Sequence, residues 1–130
     1  MIVTLVASVA GSAVQVGPAD RAAILDSARD PVAKRLGKPV KFKVRTIRRE
    51  GDWAFVIAEM VDAAGRPISY AGTPLASAEA EGAVSRDFVA LLRLSGGSWR
   101  VVDHAVGPTD VAWADWAGKH GAPQSLFDLQ

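Results

Sequence analysis

The chain has 130 residues, 49% of them apolar and 22% charged, with no cysteine and two histidines. That length and balance suit one folded domain with a sizeable core and exclude a disordered chain. Without cysteine there can be no disulfide, thiolate nucleophile or cysteine zinc site, and two histidines are too few for a multi-histidine metal site within one chain.

The net charge of +1 hides an uneven distribution. Residues 34–49 hold eight of the fifteen basic side chains and none of the fourteen acids, which leaves the rest of the chain at −7. Lys41, Lys43, Arg45, Arg48 and Arg49 in this block form a candidate polyanion-binding strand. The competing reading is a solvated strand face whose cations also guard a sheet edge. Only Phe42 interleaves the charges as an aromatic, and no nucleic-acid motif accompanies them, so nucleic acid is not the expected partner.

In chain order, residues 1–17 come first. Ile2–Ala10 is a short apolar run, and Gly11-Ser12-Ala13 offers small residues for leader cleavage before Val14. This reads as the end of a secretory signal and points to a periplasmic or secreted protein, although no Lys or Arg precedes the run. The alternative is a first β-strand in a cytoplasmic protein, since Ile2–Val6 is rich in β-branched residues. The run is too short for a membrane-spanning helix, which needs about 20 residues.

Residues 18–130 read as a single α+β domain. Pro18-Ala19-Asp20 predicts a helix start with Asp20 as cap, and Leu25, Ala28, Val32 and Leu36 make an apolar stripe widened by Ile24. Asp30-Pro31 predicts a kink or a second short helix, and Gly37 the end. Val40, Phe42 and Val44 alternate with cations as a half-buried strand, and the alternation slips near Thr46-Ile47, which predicts a bulge. After a turn at Glu50-Gly51-Asp52, Trp53–Met60 is apolar on both faces and belongs inside the sheet. Asp62–Pro67 is a turn, Ile68–Tyr70 a brief strand, and residues 71–85 a long loop or loose helix. Arg86–Val106 is a hairpin around Gly96-Gly97. Thr109 or Asp110 caps a predicted helix through His120, on which Trp113, Trp116, Ala117 and His120 share a face; Leu126 and Phe127 anchor the end.

Helix first, then about four antiparallel strands, resembles the cystatin-like and NTF2-like α+β folds. Gly97-Ser98-Trp99-Arg100-Val101-Val102-Asp103-His104 resembles the last strand of many NTF2-like domains, and Gly51-Asp52-Trp53-Ala54-Phe55-Val56 an earlier central strand. With Gly107-Pro108-Thr109-Asp110-Val111 and Gly121-Ala122-Pro123, the pattern is similar to a family of small secreted bacterial proteins without an assigned activity. The resemblance implies an N-terminal helix on a curved antiparallel sheet with a short C-terminal helix. It does not imply one activity, because the fold hosts enzymes and binding modules alike. Gln15-Val16-Gly17 lacks the spacing of the cystatin inhibitory loop.

The favoured functional reading is an exported, non-catalytic binding or accessory domain with an unidentified ligand or protein partner. A small cone-pocket enzyme, isomerase-like or hydrolase-like, is the alternative. Asp103 would be its general base, raised in pKa by burial in a cone lined by Trp99, Trp53 and Tyr70, with His104 or Tyr70 in support. Strand alternation places Asp103 on the face of Trp99 and Val101, opposite His104. Trp53, Trp99, Trp113 and Trp116 are candidate ligand-binding aromatics, the last two as a platform for a sugar or peptide. No motif calls for a metal or a cofactor. The two-sided apolar strands need a second cover, which the terminal helix or a homodimer partner would supply.

Overall fold

The computed structural model describes residues 16–128. The expectations for residues 1–13, leader or first strand, lie outside them. Helix α1 (Pro18–Leu36) starts with Pro18 in its first turn, where a missing N–H costs nothing. Asp20 does not cap it; Gly17 is the N-cap residue, and the Asp20 carboxylate pairs instead with Arg49. The second short helix considered at Asp30-Pro31 does not form: α1 runs through Pro31 as one helix. A mid-helix proline costs about 3 kcal/mol. Ile24, Leu25 and Ala28 before it and Val32 and Leu36 after it are all buried on one face. Burying side chains of that size is worth roughly 1.5–3 kcal/mol each, so keeping the stripe continuous outweighs the proline. Gly37, with φ of 68°, closes the helix by donating its N–H to the Ala33 carbonyl.

Four strands follow: β1 (Lys41–Glu50), β2 (Trp53–Val61), β3 (Asp87–Ser95) and β4 (Ser98–Val106). They pair antiparallel in the order β1-β2-β3-β4. The β3–β4 turn has positive φ at both Gly96 and Gly97, as a tight two-residue hairpin of matching twist requires. Two bulges interrupt the ladders. Val44 faces Ala58 and Thr46 faces Ile57, so Arg45 is the extra residue in β1, within two residues of the predicted slip. In β4, Val101 faces Leu92 and Asp103 faces Leu91, so Val102 is inserted, and its side chain is exposed. Nothing in the alternation of β4 marks this second bulge, since Val101 and Val102 are alike.

Between β2 and β3, helix α2 (Ala76–Ala80) forms the centre of the long connection. The expected strand at Ile68–Tyr70 reduces to a single bridge between Val61 and Pro67. The connection is pinned by buried Ile68, Tyr70 and Leu75. Arg86 ties it further, donating to the Ile68 carbonyl at 2.8 Å and to the Glu79 carboxylate at 3.0 Å.

At the C-terminus, regular helix α3 covers only Trp116–His120, followed by a 3-10 turn at Gln124–Phe127. The expected longer helix from Thr109 or Asp110 does not form. Residues 112–115 are turns, and Asp110 receives the Ala112 N–H on its backbone carbonyl. Tertiary docking sets this path: Trp113, Trp116 and Phe127 all reach the Phe55 ring, with centroids 5.6, 6.4 and 4.8 Å away.

The sheet is therefore filled on both sides. Ala54, Val56, Ala58 and Met60 of β2 and Phe88, Ala90 and Leu92 of β3 pack with α1. Phe55, Ile57, Val89 and Leu91 pack under Trp116, Ala122, Leu126 and Phe127. Ile24, Ala28 and Val32 of α1 belong to the same cluster and are fully buried, so side chains fill the space a cone would need. The second cover is the chain's own C-terminal segment. Leu126→Ala is expected to cost about 2–5 kcal/mol as a core truncation, read as a lower urea midpoint at unchanged m. A cost under about 0.5 kcal/mol, typical of a surface change, would show that the segment does not seal this face.

Candidate functional site

The inserted Val102 decides what β4 presents to each side. Paired residues in an antiparallel ladder share a face. Trp99, Val101, His104 and Val106 face Leu94, Leu92, Ala90 and Phe88, which puts them on the α1 side. Asp103 faces Leu91 and lies on the far side with the C-terminal cover. This corrects the expected grouping of Asp103 with Trp99 and Val101. Asp103 and His104 do point to opposite faces, but each to the face opposite the one expected.

Asp103 meets α3 there. His120 Nε2 lies 2.7 Å from Asp103 Oδ2, Lys119 Nζ is 3.6 Å from the same oxygen, and the His104 backbone N–H donates to Oδ1 at 2.9 Å. Burial alone would raise the Asp103 pKa. Hydrogen bonds from His120 and the His104 N–H, with the charge of Lys119, outweigh it and hold the carboxyl below its ordinary range. The expectation of a raised pKa in a cone with Trp99 and Tyr70 is thus reversed: this carboxylate is stabilised in its charged form. The pair fastens α3 to β4.

Tyr70 is fully buried on the α1 side and donates its hydroxyl to the Ser85 carbonyl. Burial first, together with the nearby Glu79 and Asp87 carboxylates, pushes its pKa up to about 12 against the opposing charge of Arg86. Gly107 runs beside this hydroxyl with φ of 70°, and a Cβ there would lie 3.0 Å from the Ser85 oxygen and 3.2 Å from the Tyr70 hydroxyl. Tyr70 and Asp103 therefore do not share a site.

The basic strand is largely spent on internal partners. Arg45 pairs with Asp87, Arg49 with Asp20, and Arg48 donates to the Ser125 carbonyl at 3.2 Å. Lys41 and Lys43 alone of the five have no such partner among the described residues. The tryptophans are similarly committed. Trp116 is 3% exposed, Trp113 tilts onto Phe55, and Trp53 lies under the Arg93 guanidinium at 4.8 Å. Trp116 has no face free for a sugar.

The structure brings together a different set. Ser27, Asp30, Pro31 and Lys34 of α1 and Trp99, Arg100, Val101 and His104 of β4 line an open cleft of about 410 Å³. Of the residues singled out in the sequence, Trp99 and His104 are here. Burial first, then the charge of Arg35, depresses the His104 pKa against the pull of Asp103, so its imidazole is neutral at neutral pH. No hydrogen bond to that ring comes from the described residues. Pro31 has no N–H to offer the Ser27 carbonyl, so the helix lacks one rung at the cleft. Ser27, Asp30, Lys34 and Arg100 were not anticipated. The signal available in the sequence was Pro31 inside a continuous apolar stripe, which marks a helix carrying a gap in its hydrogen bonding.

Among the described residues, no cluster of three histidine, aspartate or glutamate side chains could hold a metal ion, and no helix is long and apolar enough to cross a membrane. Comparison of the chain with protein-family models, with curated proteins and with solved structures finds no match.

Asp103→Asn is expected to destabilise the fold by about 1.5–3 kcal/mol at pH 7, the range for hydrogen bonds to charged groups. A carboxyl whose folded pKa is depressed stabilises above its unfolded pKa and loses that contribution as pH falls through the folded value. The wild-type advantage should therefore shrink on acidification, as measured by urea unfolding at pH 7 and at pH below the aspartate range. A difference that stays constant with pH would mean the carboxylate charge contributes nothing.

Proposed function

We propose that this protein is a non-catalytic binding domain whose recognition surface is the cleft between α1 and β4. One observation carries the reading. The cleft joins charged, neutral polar and aromatic side chains within about 410 Å³, while the acid–histidine pair sits on the opposite face of the sheet and is closed on itself. Five of its eight lining residues are polar or charged, so polar contacts more than apolar burial would hold a ligand there. A general base needs an accessible lone pair and a pKa near the working pH. Asp103 has its oxygens bonded to His120 and the His104 N–H and its pKa lowered, which favours a structural task.

The run Ile2–Ala10 with Gly11-Ser12-Ala13 supports export to the periplasm or medium. The order of a helix followed by a four-stranded antiparallel meander supports the resemblance to cystatin-like domains.

A panel of small organic fragments titrated into ¹⁵N-labelled protein tests the reading. Saturable amide shifts should gather on Ser27, Asp30, Lys34, Val101 and His104. Shifts centred instead on Asp103 and His120, or turnover of a fragment that disappears in Asp103→Asn, would overturn it.

A further inference from the structure

We propose that the exposed end of the β3–β4 hairpin is a second ligand site, in which Arg93 and Arg100 bind a phosphoryl dianion, carried by a small phosphomonoester or as free phosphate. The site lies on the face of the sheet opposite the α1–β4 cleft and does not depend on the reading of that cleft.

The sequence around the turn is symmetric. Arg93-Leu94-Ser95-Gly96-Gly97-Ser98-Trp99-Arg100 runs outward from its glycine pair as serine, apolar residue and arginine in both directions. The ladder matches Arg93 with Arg100, Leu94 with Trp99 and Ser95 with Ser98, with no bulge in this stretch. Leu94 and Trp99 pack with the core under α1. Strand alternation turns the other four side chains to the opposite face, and all four residues are exposed. Arg100 thus borders the cleft by its place in β4, while its side chain leaves on the far side. Two guanidiniums and two hydroxyls project together from one side of a tight turn. A Cβ on Gly96 or Gly97 would meet nothing within 4 Å, so the turn itself leaves the approach open.

Charge identifies what is missing. Side chains directly opposite in an antiparallel ladder have Cβ atoms about 4.5–5.5 Å apart, and like charges placed there destabilise the pair. Neither Arg93 nor Arg100 forms an ion pair within the described residues. Arg45, Arg48 and Arg49 of β1, by contrast, each reach an oxygen. The acids on the same face are engaged elsewhere. Asp103 is held by His120 and Lys119. Glu50 accepts the Ser125 hydroxyl, and Trp53 separates it from Arg93 in the row Glu50, Trp53, Arg93, Arg100. The Trp53 ring centroid lies 4.8 Å from the Arg93 guanidinium, a contact that uses the cation's charge and not its N–H donors.

An anion between the two arginines would turn their repulsion into attraction. Planar N–H forks suit carboxylate and phosphate oxygens alike. The count of charges separates the two: a phosphomonoester carries about two negative charges above pH 7 and balances both arginines, whereas a monocarboxylate balances one. The Ser95 and Ser98 hydroxyls supply further donors for a tetrahedral group with more than two oxygens.

The test is an NMR titration of the ¹⁵N-labelled full chain at pH 7.5 and constant ionic strength with phenyl phosphate, inorganic phosphate, phenylacetate and a short oligothymidylate. Phenyl phosphate or inorganic phosphate should give saturable shifts at Arg93, Ser95, Gly96, Gly97, Ser98 and Arg100, with phenylacetate far weaker. The tighter of the two phosphates names the source, ester or free ion. Arg93→Gln and Arg100→Gln, both at exposed positions, should each weaken binding roughly tenfold, the effect of losing one charge-assisted contact. Without ligand, Arg100→Gln should raise the urea midpoint, because it removes the cross-strand repulsion. A lowered midpoint would show that the pair serves the fold and would overturn the proposal. So would phenylacetate binding as tightly as the phosphates, oligothymidylate binding more tightly than either, or no saturable shift at the hairpin. Shifts confined to Ser27, Lys34 and His104 would place the anion in the cleft and overturn the second site alone.

Discussion

Burial of both faces of β2 and β3 is the constraint on which the architecture rests. Ala54, Val56 and Ala58 look one way and Phe55 and Ile57 the other, and all are out of water. A strand of this kind is stable only with cover above and below. Helix α1 supplies one cover and the segment from Trp113 to Phe127 the other, with large aromatics where the sheet presents Phe55. The two covers have different consequences. The helix packs on the inner face, and the open cleft lies at its border with β4. The C-terminal cover is short and irregular, and it depends on fasteners: Asp103 to His120, and Glu50 to the Ser125 hydroxyl at 2.6 and 2.8 Å.

A single inserted residue then sorts the polar side chains of β4. Val102 carries no chemistry, yet its presence turns Asp103 toward α3 and His104 toward α1. The acid and the two histidines become two unrelated arrangements on opposite sides of one strand. One is a carboxylate held charged by His120. The other is an imidazole kept neutral in a cleft. The same strand thus carries a closed acid–histidine pair on one face and borders an open cleft on the other.

Much of the fold could be read from the residues, for a physical reason. Apolar periodicity reports burial directly, so the stripe Ile24–Leu36, the two-sided strand at Trp53–Met60 and the Gly96-Gly97 hairpin all appear as expected. The bulge in β1 was visible because cations and apolar residues alternate there, and a slip breaks the pattern. The bulge in β4 was not visible, since Val101 and Val102 are both valines and either could face inward. Asp20 and Asp110 were misjudged for a shared reason: local capping chemistry competes with tertiary partners, and Arg49 and the Trp113–Trp116 docking won. The cleft itself was the least legible part. It is made by two elements about 70 residues apart in the chain, and of its eight lining residues only Trp99 and His104 stood out as candidates.

The order of the elements along the chain has its own consequence. The sheet is complete at Val106, whereas the residues that shield Phe55, Ile57, Val89 and Leu91 follow it. During synthesis a finished meander would hold a bare hydrocarbon face until Trp116, Leu126 and Phe127 emerge. Such transiently open surface invites self-association. The tail therefore acts as the closing step of maturation, and a chain halted before Leu126 would carry its stickiest side outward.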